Sequence, residues 1–202
     1  MTRPGIWRDE AHDFNDLLAR VKRIELAMAS SHTASLDPLL PSAPSDGQDF
    51  YYSLPNGGQW HFRFNERTGL WDFAGGPPLV SDVGDSEGTT STSYADLTTD
   101  GPSLTMPFAG RYNFNAGANV FQSGTFYYWV IGLKIGSASE EEWIAIHPTT
   151  GASDNYFSPS RAGERDVGAA GDVCKLRYKT TGGTTVSFRY RFLHATPVYL
   201  VP

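Results

Sequence analysis

The sequence predicts a mainly β protein, and three features of its composition lead to that prediction. The 202 residues include 27 aromatic side chains (5 Trp, 10 Tyr and 12 Phe), a load that argues against a disordered chain. The 21 glycines and 13 prolines supply many turns. Only 19% of the residues are charged, which disfavours an all-helical protein. Strands separated by dense turns fit this composition best.

Charge and hydropathy exclude two classes of partner. The formal net charge of −6 argues against nucleic acid, because duplex-binding domains carry a basic surface. No unbroken apolar run approaches the ~20 residues of a membrane helix, so no membrane insertion is expected. Residues 1–5 show no apolar signal core, which predicts synthesis in a cytosol without reliance on disulfides. The lone cysteine, Cys174, is expected to be a small buried hydrophobe; a nucleophile or an intermolecular bridge are the alternatives.

Residues 9–30 form the one long helical candidate and carry a heptad pattern. Such a short helix is marginal alone in water. We therefore expect residues 1–30 to be an attachment and oligomerisation element, a short parallel trimeric coiled coil; packing on its own domain is the alternative. Arg20 and Glu25 fall at g and e positions that bridge neighbouring helices. The predicted core positions are Phe14, Leu17, Val21, Ile24 and Met28.

A small antiparallel β-meander is predicted over residues 49–79. Trp60, Phe62 and Phe64 alternate with polar residues, which indicates a half-buried strand with one aromatic face. The segment 65–69 is a hairpin turn in which Gly69 is free to take a positive φ. Three short strands are too few for an independent core, so the meander is expected to pack against a neighbour.

A linker and a larger β domain complete the chain. Residues 31–48 predict a linker, since prolines recur there at three-residue intervals. Residues 80–202 have short strand candidates between glycine-rich turns, typical of a β-sandwich or jelly roll. Within them Ser81–Thr99 is predicted to be an exposed connection that runs into an edge strand. The candidate strands are Ser93–Leu97, Ser103–Met106, Gly110–Ala118, Tyr127–Ile135, Glu142–Ile146, Val173–Tyr178 and Thr185–Leu200.

The sequence offers no catalytic constellation, no cofactor motif and no metal-ligand spacing. The acidic run 140–142 could suggest a cation site or a glycosidase carboxylate. Glycoside hydrolysis needs two carboxyl groups that face each other across a cleft, which three adjacent glutamates do not establish. The run is therefore predicted to be a solvated hairpin tip. The charged, glycine-bounded segment 163–168 is predicted to be a turn. Asp82, Asp85 and Glu87 could chelate calcium, but they lack an EF-hand pattern. We therefore expect no enzyme, no cofactor and no bound metal.

Aromatic side chains are the better candidates for binding. Rings at the protein surface stack on sugars or anchor protein partners; burial in the core or in a subunit interface is the alternative. The strand that begins at Phe126 is apolar on both sides, which predicts cover on both faces, one of them by another subunit. The candidate trimer or receptor surface consists of Tyr127, Tyr128, Trp129, Tyr156 and Phe157.

Several segments between residues 40 and 112 share a pattern of aromatic, glycine and proline residues with a known module. They are Leu40–Ser42, Pro44–Gln48, Phe50–Tyr52, Trp60–Phe64, Trp71–Leu79, Ser93–Leu97 and Pro107–Tyr112. These segments resemble a module found in virion proteins of actinobacterial phages, often labelled minor tail proteins; the resemblance covers residues 40–118 and supplies no catalytic residues. The Pro-x-x-Gly-x-Tyr-like element at Pro107–Tyr112 and the closing strand, Phe192–Val201, are also similar in outline to jelly rolls of the tumour-necrosis-factor and complement-globular type, which implies a fold that forms trimers.

The resemblance implies a structural protein located in the virion. The first hypothesis is a trimeric tail-tip or fibre component that presents a β-sandwich to a glycan or protein of the host surface. The alternative is a capsid head fibre or decoration protein, attached to other virion proteins through its N-terminal helix. A glycan depolymerase is disfavoured because the sequence shows no acid pair, and an unrelated sugar-binding or cytokine-like module is disfavoured by the phage-like segments.

The predicted coiled coil makes the oligomeric state a direct test. Three chains joined by the heptad stripe should give a particle of about three times the 22.1 kDa chain mass. Light scattering on the full chain at micromolar concentration measures this mass. A monomer under those conditions would contradict the trimeric stalk.

Overall fold

The computed structural model describes residues 40–122, 128–146, 155–182 and 185–202. The predicted helix and its heptad residues, together with most of the linker, lie outside the described residues. Thirteen β-strands and no helix occur in the described part of the chain. Residues 40–202 form one compact unit. The mainly β prediction is therefore confirmed for this unit.

A nine-stranded antiparallel sheet, the large sheet, forms one layer. β13 lies at its centre, with β7 on one edge and β3, β4 and β5 in succession along the other. β2 and β1 extend the sheet beyond β3, while β10 and β11 both pair with the far edge of β7. Its strands are β1 (Asp49–Ser53), β2 (Gln59–Asn65), β3 (Leu70–Gly75), β4 (Leu79–Val83), β5 (Glu87–Thr89), β7 (Gly110–Gln122), β10 (Asn155–Phe157), β11 (Ser160–Val167) and β13 (Val186–Leu200).

A four-stranded antiparallel sheet, the small sheet, forms the second layer in the order β6-β12-β8-β9. The connections β5–β6, β6–β7, β7–β8, β9–β10, β11–β12 and β12–β13 all pass from one sheet to the other, and β8–β9 stays within the small sheet. This alternation is the strand order of a jelly roll. The small-sheet strands are β6 (Ser103–Thr105), β8 (Trp129–Ile135), β9 (Glu141–Ile146) and β12 (Val173–Thr180).

Two register shifts interrupt the pairing of β13 with β7, one between Arg189 and Phe192 and one between Pro197 and Tyr199. The first lies between the residues that pair with β5 and those that pair with β4. The second accommodates Pro197, which has no N–H to donate to a ladder and is tolerated in strands at such irregularities. The shifts therefore let one strand join three successive partners.

The meander β1–β3 shares its core with the sandwich. Trp60, Phe62 and Trp71 are fully buried, as the aromatic alternation predicted. Phe108 lies 6.5 Å from Phe62 between ring centroids, and Tyr112 lies 6.3 Å from Trp60. The meander thus packs against its neighbour, as expected for three short strands, and the turn glycine Gly69 has a φ of 69°.

The chain itself covers the outer face of β8, which corrects the expectation that another subunit would do so. The first five residues of β8 are buried, on both faces of the strand. A Cβ added at Gly132 would lie 2.5 Å from the Tyr94 ring, so this ring packs directly on the strand. The Lys179 ammonium lies 4.3 Å from the centroid of the same ring.

Several strand predictions need correction. Ser93–Leu97 is not a strand and contributes only an isolated bridge from Ala95 to Tyr178. The supposed connection at Ser81–Thr99 instead includes the end of β4 and all of β5. The charged segment 163–168 was predicted as a turn, but most of it belongs to β11, which pairs with β7 along eight residues. Pairing with a long central strand overrode the local glycine signal.

A shared core predicts that the meander and the sandwich unfold together. Trp60→Ala should lower the free energy of unfolding by about 3–5 kcal/mol, as large buried aromatics do. Tyr51→Ala, on the exposed face of the same meander, should change it by less than about 0.5 kcal/mol. Urea denaturation followed by tryptophan fluorescence and by circular dichroism measures both. Two separate transitions would show that the meander is an independent unit.

Candidate binding site on the large sheet

An open pocket of about 470 Å³ lies on the outer face of the large sheet, the face turned away from the small sheet. It spans β4, β13 and β7, so its walls come from chain segments that are far apart in sequence. Its lining combines aromatic, acidic, amide and imidazole side chains, which is the mixture usual in ligand sites. The lining residues are Asp82, Val83, Gly84, Asn115, Tyr190, Arg191, Phe192 and His194.

A bulge in β13 shapes one wall of this pocket. Tyr190 has a φ of 48°, the one positive φ at a non-glycine residue in the described chain. Because of the bulge, Arg189 and Tyr190 are both exposed, although neighbours in a regular strand point to opposite faces. The Arg189 guanidinium lies 4.3 Å from the centroid of the Tyr190 ring.

Arg191, next to the bulge, is fully buried. Its Nη1 donates to the carbonyls of Thr99 and Gly101 at 3.4 and 3.3 Å. Its Nη2 lies 3.8 Å from the carboxylate of Glu87. A buried cation without partners is costly, and these contacts offset that cost. They also join the bulge of β13 to β5 and to the loop before β6.

The floor of the pocket is an aromatic ring that lies on a glycine. Phe192 stands opposite Gly117 in the β13–β7 ladder. A Cβ at Gly117 would lie 2.7 and 2.8 Å from two ring atoms of Phe192, so the ring leans across the bare backbone of β7. The ring also lies 5.2 Å from the His194 imidazole, between centroids, and both side chains line the pocket.

Polar groups surround this floor. The Nε2 of His194 lies 3.0 Å from Oδ1 of Asp82, and Asn115 stands opposite His194 in the ladder. In the described part of the chain, the second carboxylate oxygen of Asp82, the Asn115 amide and the Tyr190 hydroxyl form no hydrogen bond within the protein. These groups remain available to a ligand.

A similar carboxylate–imidazole pair occurs on the outer face of the meander, outside any pocket described above. The Nε2 of His61 lies 2.8 Å from Oδ1 of Asp49, and the Arg63 Nε donates to the same oxygen at 3.1 Å. These contacts, Arg63 first, lower the pKa of Asp49. Tyr51 stacks on His61 with ring centroids 4.5 Å apart. The Arg63 Nη2 donates to the other oxygen, Oδ2, at 3.4 Å, so both oxygens of the Asp49 carboxylate are engaged within the protein.

The predicted aromatic surface is not brought together as one patch. Trp129 is fully buried in the sandwich, so it offers nothing to a partner, which corrects that prediction. Phe157 is half-buried beside it, with ring centroids 6.1 Å apart. Tyr156 is 78% exposed and packs on Phe121 at 4.9 Å. The Tyr128 hydroxyl donates to Glu142 at 2.6 Å, and Tyr127 lies outside the described residues.

The acidic run at the start of β9 is paired with several partners, not merely solvated. Glu140 pairs with Arg177, Glu141 with Arg165, and Glu142 accepts from Tyr128. The partners lie on different strands, so these three carboxylates do not form the facing pair that a glycosidase needs. Glu141 and Glu142 are exposed, as a solvated run would be, but the prediction of a hairpin tip was wrong, because β9 begins at Glu141.

Other candidate groups are structural or isolated. Cys174 is fully buried, and desolvation raises the pKa of its thiol to about 12, which opposes the thiolate needed for nucleophilic chemistry. Asp82 pairs with His194, whereas Glu87 accepts from the Thr99 backbone N–H. In the described ranges, no three His, Cys, Asp or Glu side chains gather as a metal site would require. No helix there is long and apolar enough to cross a bilayer.

Comparisons with known proteins give structural neighbours but no sequence match. No protein-family model matches the chain, and no curated protein matches it. Among solved structures, the chain is similar to the structure of Eiger TNF from S. frugiperda, with 15% sequence identity and a TM-score of 0.42. The match covers 60% of this chain and 92% of that chain. The jelly-roll assignment itself rests on the strand order described above.

The contacts of Arg191 predict how strongly the bulge depends on Glu87. Glu87→Gln leaves the buried guanidinium without its carboxylate, and should lower the free energy of unfolding by about 1–3 kcal/mol. Asp166→Asn, which weakens the exposed pair with Arg111, is the matched control and should cost less than about 1 kcal/mol. Urea denaturation at about pH 7 compares the two.

The same pair has a defined pH dependence. Hydrogen bonding to Thr99, and more weakly the Arg191 charge, lower the pKa of Glu87 below its usual 4.5. Its contribution is therefore complete above about pH 4.5 and is lost as the pH falls through the lowered pKa. The difference between the wild type and Glu87→Gln should shrink correspondingly; a difference that is constant with pH would contradict this role.

Proposed function

We propose that this chain is a structural protein of an actinobacterial phage virion, a trimeric tail-tip or fibre component that presents its β-sandwich for attachment to the host surface. The observation that carries the proposal is the outer face of the large sheet, where an open pocket with unpaired polar groups accompanies exposed aromatic rings. The phage-like sequence segments support the virion location.

Those phage-like segments have a structural counterpart. Trp60 and Trp71, which lie in two of them, are fully buried where the meander meets the sandwich. The resemblance therefore concerns residues that build the common core, as expected when a whole module is shared. In this proposal the sandwich is the presented part, and the N-terminal segment joins it to other virion proteins.

Attachment by a trimer needs only weak individual sites. Three copies on one rigid assembly turn the second and third contacts into intramolecular events, so avidity exceeds the affinity of each site without any new contact. The predicted coiled coil at residues 1–30 would set this valency. In the alternative, the same segment fixes the chain to the capsid as a head fibre or decoration protein.

Labelling of virions separates the tail from the capsid. Gold-conjugated antibodies against residues 40–202 should mark the tail tip in electron micrographs, because that is where host attachment occurs. Label on the capsid would establish the head-fibre alternative, and unlabelled virions would contradict a structural virion role. Antibody binding to purified protein on the same grids is the positive control.

Deletion of residues 1–30 tests the attachment element. The truncated chain should lose virion docking and trimeric mass while keeping the β-sheet circular dichroism and urea midpoint of the full chain, since residues 40–202 form a compact unit of their own. Unfolding of the β part on deletion would instead assign the helix to its core.

A further inference from the structure

We propose that the pocket between β4, β13 and β7 binds a neutral saccharide, a pyranose unit of the host-surface glycan. The inference rests on the proposed attachment function and names its ligand class and its residues. Three independent features of the pocket point to a sugar: an aromatic floor, a ring of unpaired hydrogen-bonding groups and the absence of an available cation on the described walls.

The floor suits the apolar side of a sugar ring. The Phe192 ring lies against the bare backbone of Gly117, is half-buried and lines the pocket. The axial C–H groups of a pyranose present a flat apolar patch that stacks on such a ring. Gly117 is required for this arrangement, because any side chain there would lift the phenyl ring off the sheet.

The walls suit the hydroxyl groups. Oδ1 of Asp82 lies 3.0 Å from Nε2 of His194, which leaves Oδ2 without a partner in the described part of the protein. A carboxylate can accept hydrogen bonds from two adjacent hydroxyls. The Asn115 amide both donates and accepts, and the Tyr190 hydroxyl does the same. His194 orients the carboxylate, so the hydroxyl-binding groups are fixed relative to the floor before a ligand arrives.

Charge selects a neutral sugar over an acidic one. Asp82 is the carboxylate of the lining, and the chain carries a net charge of −6. Arg191 is turned into the core toward Thr99 and Gly101, and the Arg189 guanidinium lies on the Tyr190 ring. Arg189 is not among the residues that line the pocket. A uronic or sialic acid would therefore meet the Asp82 carboxylate, and no lining residue turns a guanidinium or an ammonium toward it.

Backbone strain at Tyr190 supports a functional role for this wall. A φ of 48° is unfavourable for a bulky residue, and residues held in such regions cluster at ligand sites. The buried contacts of Arg191 hold the bulge in place from the core side. The pocket volume of about 470 Å³ lies within the range of small-ligand sites.

The test uses the full chain and four probes, the methyl pyranosides of glucose, galactose, mannose and N-acetylglucosamine. Saturation-transfer NMR and calorimetry should detect at least one of them with a Kd of about 1 mM, the strength of a single weak site. Asp82→Asn and Phe192→Ala should each weaken that binding at least about tenfold, because one loses a charged acceptor and the other loses the floor. Methyl glucuronide should bind more weakly than methyl glucoside.

The matched control is Asp49→Asn. It removes a carboxylate that also contacts a histidine Nε2, at 2.8 Å, but on the meander face, and it should leave saccharide binding unchanged. Circular dichroism and the urea midpoint establish that each variant is folded. If Phe192→Ala fails to fold, Asp82→Asn and Tyr190→Phe carry the test, since both keep the side-chain volume nearly unchanged.

Three outcomes overturn the proposal. These are no binding of any of the four probes, binding that Asp82→Asn and Phe192→Ala leave unchanged, or variants that change the particle mass instead of sugar binding, which would make this face an interface between copies. Adsorption of purified protein to host cells is measured in parallel. Adsorption that the pocket variants leave intact refutes the saccharide site but keeps the attachment function, whereas an absence of adsorption refutes the attachment function itself.

Discussion

The architecture depends on the pairing of β13 along both of its edges. This strand of fifteen residues holds β7 on one side and β5, β4 and β3 in succession on the other. The meander has no other strand partner in the described residues, so its aromatic face reaches the sandwich core only because β3 joins the end of β13. A chain of this topology makes mostly non-local contacts, and the last strand has to be in place before the sheet is complete.

The bulge in β13 also accounts for the pocket on the outer face of the large sheet. Val186 and Phe188 point into the core, so a strand with strict alternation would place Tyr190 inside and Arg191 outside. It would also turn the following apolar residues, Leu193 and Ala195, to the outer face. The bulge resolves this conflict by exposing two consecutive residues, after which Leu193 and Ala195 return to the core. The second register shift, between Pro197 and Tyr199, then brings Leu200 into the core as well. The pocket therefore lies where β13 shifts its in-and-out alternation so that its apolar side chains stay in the core. Its polar groups lie at outward-facing positions of the strands.

Much of the fold could be predicted from sequence because local patterns coincide with tertiary demands. The alternation of Trp60, Phe62 and Phe64 and the turn at Gly69 predicted the meander, and six of the remaining strands were located within a few residues. β11 was missed because its stability comes from β7 rather than from its own propensity. Ser93–Leu97 was overpredicted for the opposite reason: its Tyr94 packs as a cover on Gly132 rather than in a ladder.

The candidate site was harder to predict from the sequence, since its residues come from three strands that only the fold brings together. One local signal was present: Arg189, Tyr190 and Arg191 interrupt an otherwise apolar alternation, which is where a bulge would be sought. The predicted aromatic patch relied on ring content alone, and ring content does not distinguish a buried Trp129 from an exposed Tyr156. The Asp82–His194 pair spans 112 positions in the chain, so no spacing rule could have found it.

The side chains on the edge strands affect whether separate molecules can pair strand to strand. β9 and β11 border the two sheets on the same side, and the Trp143 indole bridges them, donating to the Arg161 carbonyl at 3.1 Å while Arg161 donates back to the Trp143 carbonyl at 2.8 Å. Arg161 and Arg165 both cover the indole, at 5.2 and 4.9 Å from its centroid. Bulky cations on an edge disfavour the strand-to-strand pairing that joins separate molecules into fibrils. Separate copies that crowd together would therefore not join strand to strand through this edge.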